Sequence, residues 1–194
     1  MASPKILAFA GSLRRDSFNK KLARVAADAA RAAGGDVTLI DLKDLPMPIY
    51  DGDLEAAEGI PPNARKLKDL MKAHQGLLIS TPEYNSSIPG VLKNAIDWAS
   101  RQEKGEPPLA CFDGKIAALL SASPGALGGL RSLLTVRAIL SNIRVLVIPE
   151  QLALSKADAA FDAEGKLVDA KQKATVEKIA ARLVTVVTKL SSPA

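Results

Sequence analysis

Between Pro82 and Pro89 lie a carboxylate, a phenol, an amide and two hydroxyls, in the stretch Thr81-Pro82-Glu83-Tyr84-Asn85-Ser86-Ser87-Ile88-Pro89-Gly90. The apolar run Gly76–Ser80 precedes it and the amphipathic run Val91–Trp98 follows, so it reads as an exposed loop leading from a strand into a helix. Pro89 suits a first helical turn, where its missing N–H would be unpaired in any case. A stiff loop carrying donors, acceptors and an aromatic ring suits a flat heteroaromatic ligand that is both hydrogen-bonded and stacked. A second stretch, Gly11-Ser12-Leu13-Arg14-Arg15-Asp16-Ser17-Phe18-Asn19, sets Ser12, Ser17 and Asn19 at a helix N-terminus. Backbone N–H groups there form a ready anion site, and Arg14 adds a forked, permanently charged donor that matches phosphate. It is not a Walker A loop, since it lacks the G-K-S/T ending. The other reading of this stretch has Ser17 capping the helix and both arginines solvated.

The elements that would hold these loops alternate along the chain. Lys5–Ala10 is apolar on both faces, as a strand buried in a parallel sheet should be. A helix with apolar residues from Leu22 to Ala33 follows and is stopped by Gly34-Gly35; Asp36–Asp41 is the second strand. After a loop with Pro46, Pro48, Asp51 and Gly52 come a helix carrying Ala64, Leu67, Leu70 and Met71, a third strand at Leu77–Ser80, and a helix ending near Arg101. Gln102–Gly114 reads as a connection and Lys115–Ser121 as a fourth strand. The turn Ser123-Pro124-Gly125-Ala126-Leu127-Gly128-Gly129 then leads to a helix from Leu130 to Leu140. Val145–Ile148 is a fifth strand, Pro149–Gly165 is expected to be irregular and polar, and a last helix carries Val176 to Leu190 on one stripe. Such alternation with short loops implies α/β architecture, a parallel sheet covered on both faces. Five strands in this length match the flavodoxin-like doubly wound order 2-1-3-4-5, with the ligand crevice by strands 1 and 3. A dinucleotide-binding Rossmann domain fits less well, because the first turn lacks G-x-G-x-x-G.

Composition narrows the rest. The 194 residues are expected to form a single domain spanning 1–194. The net charge of +5 is scattered among acids, with no basic tail and no interleaved aromatics, so a mixed solvated surface explains it better than nucleic acid does. Apolar runs fall far short of a membrane span. With no leader recognised and one cysteine, Cys111, the expectation is a cytoplasmic protein without an internal disulfide. His74 reads as a surface or helix-terminal residue, Cys111 as a bystander, Asp51 and Asp53 as solvated, and Trp98 as core or interface packing. Glu83 is read as a ligand contact in preference to a buried structural pair.

Three motifs carry a resemblance. Gly11-Ser12-Leu13-Arg14-x-x-Ser17-x-Asn19, the run from Pro82 to Trp98, and Ser121-x-Ser123-Pro124-Gly125-x-x-Gly128-Gly129-x-Arg131 together resemble the NADPH-dependent FMN reductase family, which includes chromate and quinone reductases of flavodoxin-like fold. The likeness covers the chain to about Ile148. It implies that Ser12, Arg14, Ser17, Phe18 and Asn19 hold the FMN phosphate. Pro82, Glu83, Tyr84 and Asn85 would line the ribityl chain and ring, and Ser121, Ser123, Pro124 and Gly125 would close the other side. Arg101, Arg131 and Glu150 become candidates for a subunit interface or substrate mouth in a homodimer or homotetramer. NADPH or NADH would reduce the flavin, which would then reduce a quinone, free flavin, chromate or azo compound, with no side-chain acid or base required and no metal implied. An electron carrier of flavodoxin type and an FMN-binding regulatory module are the alternatives. The chain departs from the pattern at Ser132-Leu133-Leu134, where relatives often carry a more polar pair.

Overall fold

Apolar runs without a polar face can only be buried on both sides, and the central strands meet that requirement. In a computed structural model, which describes residues 3–191, β1 (Lys5–Ala10), β2 (Asp36–Asp41), β3 (Gly76–Ser80), β4 (Ile116–Ala122) and β5 (Leu146–Leu154) form one sheet in the order β2-β1-β3-β4-β5. All four pairings are parallel, as the alternation of elements predicts. Side chains alternate across the sheet. Ile6, Ala8 and Leu78 face α1 (Phe18–Ala32) and α6 (Ala170–Ser191), whereas Leu7, Phe9, Leu77 and Ile79 face α3 (Pro62–Ala73), α4 (Gly90–Ala99) and α5 (Leu130–Asn142). The result is the expected three-layer arrangement, with every crossing loop after β1, β3 and β4 at the same end of the sheet.

Two elements differ from the sequence expectation. A short helix, α2 (Gly52–Glu58), forms inside the stretch read as loop, capped by Asp51, whose carboxylate accepts from the Asp53 N–H at 2.8 Å. More consequentially, β5 runs on through Pro149 to Leu154 instead of ending at Ile148. Between Ala117↔Val147 and Leu119↔Gln151 the pairing advances two residues on β4 and four on β5, so the strand bulges at Pro149. An edge strand tolerates proline, because its outward N–H has no ladder partner to lose. Arg137 on α5 stitches the bulge, donating to the Val147 and Ile148 carbonyls at 3.3 and 2.9 Å and to Gln151 Oε1 at 2.9 Å. Polar Glu150 and Gln151 broke the apolar pattern because this edge is half exposed.

His74 does end α3, yet it is buried rather than on the surface. Nδ1 donates to the Leu70 carbonyl at 2.6 Å and Nε2 meets Thr38 Oγ1 at 2.9 Å, tying α3 to β2. Trp98 is wholly buried, its indole N–H donating to the Pro48 carbonyl at 2.8 Å and its ring packing edge-on against Tyr50 at 5.1 Å. The 102–114 connection is held to α3 by charge. The buried Lys68 ammonium donates to the Arg101 carbonyl at 2.5 Å and lies 2.9 Å from Glu106 and 3.2 Å from Glu103, and Lys72 meets Glu106 at 2.6 Å. Burial beside this group pushes the Cys111 thiol up to about 11, which keeps it protonated and inert at neutral pH.

Hydrogen bonds from Lys72 and then Lys68 lower the Glu106 carboxyl from 4.5 to about 2. A depressed native value means the contribution is complete above the ordinary carboxylate range and is lost as pH falls through about 2. Denaturant titrations at about pH 5 and about pH 3 should therefore show the wild type losing more stability than Glu106→Gln over that interval. Equal losses in the two chains would remove this clasp from the account.

Candidate functional site

The first loop is shaped by what the start of α1 leaves unpaired. The first N–H groups of a helix have no intrahelical acceptor, and those of Phe18, Asn19 and Lys20 find none elsewhere among the described residues. Ser17, at the N-cap position, is buried, and its hydroxyl makes no capping bond, so the capping reading does not hold for it. Ser12 is also buried, accepting from the Arg14 N–H at 3.4 Å. The Arg14 side chain is exposed and has no acceptor among the described residues. No acidic residue occupies the first turn. Donors, a permanent cation and the positive end of the helix dipole thus converge without an anion of the protein's own to satisfy them.

Asn19 takes a part the sequence reading did not give it. Its side-chain oxygen accepts from the Ser80 hydroxyl and from the Ala122 N–H, both at 2.9 Å, while its amide nitrogen donates to the Ala122 carbonyl at 2.8 Å. That side chain is thus bonded to the ends of β3 and β4, while the Asn19 backbone N–H is among those left unpaired at the start of α1. Ser80 and Ala122 are accordingly functional positions that sequence reasoning missed, since a serine and an alanine at strand ends carry no signal of an asparagine 61 and 103 residues away.

In the loop after β3, Tyr84 and Ser87 exchange backbone hydrogen bonds at 3.0 and 3.1 Å around a two-residue turn. Both central residues, Asn85 and Ser86, have positive φ, 51° and 64°, as a type I′ turn demands. The turn lifts Tyr84 into solvent, 48% exposed. Glu83, preferred in the sequence reading as a ligand contact, lines both cavities described below, while its carboxylate is engaged by Arg131 at the start of α5. It accepts from the Arg131 N–H at 3.0 Å and from Arg131 Nε at 2.6 Å, and its side chain is only 8% exposed. Ser121 likewise lies within β4, buried, with its hydroxyl donating to the Thr81 carbonyl at 2.6 Å. It stitches two loops together and does not line the crevice. Gly129 closes over it: φ is +89°, and a Cβ there would sit 1.8 Å from Ser121 Oγ, so only glycine fits.

These contacts leave two adjoining cavities. A cavity of 70 Å³ is lined by Arg14, Ser17, Phe18, Tyr84, Ser123 and Pro124, with Asn19 and Pro82 behind them. A wider one of 340 Å³ is bounded by Asn85, Ser86, Gly125 and Arg131, and Glu83 and Ser123 belong to both. Ser123 Oγ accepts from the Gly125 N–H at 3.2 Å, fixing that lip. Two of the three candidates for an interface or a substrate mouth lie away from these cavities. Arg101 follows the far end of α4, its guanidinium 5.1 Å above the Tyr50 ring and bonded to the Tyr50 and Ser100 hydroxyls. Glu150, on β5, pairs with Arg182 on α6 at 3.5 Å. Only Arg131 reaches the crevice.

A doubly wound sheet that opens a crevice at the point where its strand order reverses is the flavodoxin-like architecture. Residues 4–159 match the NADPH-dependent FMN reductase family, and the chain belongs to that family. It is 39% identical over 176 residues to an NAD(P)H-dependent FMN reductase of Pseudomonas aeruginosa, with 90% of each chain covered. It is 36% identical over 165 residues to a 2-hydroxy-1,4-benzoquinone reductase of a Burkholderia species, covering 84% of this chain and 85% of that one. Among solved structures, the flavoenzyme NAD(P)H:(acceptor) oxidoreductase FerB of Paracoccus denitrificans superposes with a TM-score of 0.81 at 30% identity, covering 96% of this chain and 98% of its own.

Asn19→Ala should destabilise the fold by about 3 kcal/mol, because it strands the buried Ser80 hydroxyl and Ala122 N–H. Urea unfolding reads this directly, and a wild-type midpoint with an unchanged slope would contradict the assigned bonds.

Proposed function

We propose that the chain is an FMN-dependent NAD(P)H:quinone reductase whose flavin phosphate sits at the start of α1 and whose ring lies between the loops after β3 and β4. FMN as cofactor and NAD(P)H as reductant follow from family membership; the placement and the acceptor are our reading. One observation carries the placement. The buried, uncapped Ser17 hydroxyl lines a small cavity together with Phe18 and Asn19, whose N–H groups are unpaired, and that cavity shares Glu83 and Ser123 with a larger one. The residues fit the cofactor: an anion cradle at one end, and a crevice floored by backbone and flanked by an exposed phenol at the other.

When bound, FMN supplies the redox chemistry, so that NAD(P)H, one proton and a quinone become NAD(P)⁺ and a hydroquinone. What the chain contributes is position. Arg14, Ser12, Ser17 and the N–H groups of Phe18, Asn19 and Lys20 neutralise and orient a phosphate dianion. The Glu83–Arg131 pair locks the loop after β3 to the start of α5, and Pro82 and Pro89 stiffen that loop, so the polar groups are fixed before the ligand arrives. The names of two relatives, 2-hydroxy-1,4-benzoquinone reductase and quinone reductase, favour a quinone over free flavin, chromate or azo acceptors. An exposed stripe on and just before α5, Leu127, Leu130 and Leu134, flanks Arg131 at the crevice mouth and supports a homodimer or homotetramer. We place the enzyme in the cytoplasm; no helix among the described residues is long and apolar enough to cross a membrane.

Anaerobic mixing of the FMN-loaded chain with NADPH or NADH should bleach the flavin, and a benzoquinone should restore its colour. Flavin that stays oxidised under both nucleotides would make the protein an electron carrier instead. Arg14→Ala should weaken FMN binding by about 10- to 100-fold, the worth of a charged hydrogen bond, while sparing riboflavin. Equal FMN affinity in the two chains would remove Arg14 from the phosphate site.

A further inference from the structure

After β5 the chain doubles back over the start of α1, and nothing in the motifs accounts for that excursion. Residues 155–168 are anchored by Ala157, Ala160 and Leu167, all buried against α1 and α6. A small antiparallel bridge, Phe161↔Leu167, shapes its tip. Asp162 N–H donates to the Lys166 carbonyl at 2.9 Å, Val168 N–H to the Ala160 carbonyl at 3.1 Å, and Lys166 N–H to the Asp162 carboxylate at 2.7 Å.

This tip presents one aromatic ring. Phe161 lies parallel to Phe18, with centroids 6.4 Å apart and planes within 4°, which is offset-stacking geometry. The Lys21 ammonium sits 5.7 Å from the Phe161 centroid, one turn further along α1. Phe18 is the first residue of α1, and it lines the 70 Å³ cavity beside Ser17. The same segment also grips the opposite wall. Ala157 N–H donates to the Ser123 carbonyl at 3.2 Å, and Ser123 N–H donates to the Leu154 carbonyl at 3.0 Å. Both walls of the anion cavity are therefore fastened to one short piece of chain.

We propose that Phe161 is a positioning residue for the flavin phosphate, acting through Phe18 to hold the first turn of α1 and its N–H donors in register with Ser123. The inference rests on the phosphate reading above. A cavity of that size accepts a phosphate group only while its walls keep their spacing, and Phe18 has no other ring to lean on among the described residues. The ring's effect falls on the phosphate end, since Phe161 stacks on Phe18, which lines the small cavity and not the wider one.

The test compares FMN with riboflavin, which shares the ring and ribityl chain and lacks the phosphate. The full-length chain, stripped of flavin, is titrated with each while flavin fluorescence is followed. Phe161→Ala should weaken FMN about tenfold, the order of a lost aromatic pair, leave riboflavin affinity unchanged, and recover with Phe161→Tyr. Phe161→Leu keeps apolar cover without the ring; it should show the same selective loss even where the alanine chain folds poorly. FMN and riboflavin weakened by the same factor, or FMN unweakened in the leucine chain, would overturn the inference alone. A wild-type chain that binds riboflavin as tightly as FMN would overturn the phosphate reading, and this inference with it.

Discussion

One amide holds the site together. Parallel strands deliver their loops to one end of the sheet, but nothing in a sheet obliges a helix to begin where two neighbouring strands stop. The Asn19 side chain imposes that condition by exchanging three hydrogen bonds with Ser80 and Ala122. Each bond is buried, and so each is costly to leave unmade. The start of α1 therefore cannot slide relative to β3 and β4 without stranding polar groups. Everything that makes the cradle useful, from the free N–H groups to the uncapped Ser17, inherits its position from this tie.

A second tier of contacts joins loop to loop. Ser121 binds the Thr81 carbonyl beneath the crevice, and Glu83 clasps Arg131 at its rim. Gly129 adopts the left-handed backbone that lets α5 begin directly over Ser121. Side chains that look poised for a ligand are in this way consumed by the scaffold, and the groups left facing the crevice are largely backbone N–H, a phenol and a guanidinium. That division suits a cofactor that brings its own chemistry, for which the protein must mainly supply a rigid, correctly charged outline.

The fold and the location of the site were legible because their signals are local. Continuous apolar runs at residues 6–10, 77–79 and 116–120 admit no half-exposed strand, and the polar loops after them fall at one end by topology alone. The division of labour inside the site was not legible. Whether Asn19, Glu83 or Ser121 meets a ligand or another residue depends on partners 40 to 103 positions away. The extent of β5 was hidden by Pro149 and Glu150, which belong on an exposed, bulged edge and so mimic a loop. Arg101 and Glu150, candidates for an interface or a mouth, lie away from the crevice, where the helix end and the strand edge put them.

That bulged edge has an effect on the life of the protein beyond its geometry. A long, flat border strand offers a row of unpaired amides on which another chain can add a strand. Here a proline stands in the middle of the border, and Arg137 occupies the two carbonyls just before the kink. An incoming segment would find its register broken after a few residues. At this border the sheet can therefore stay open without recruiting a further strand.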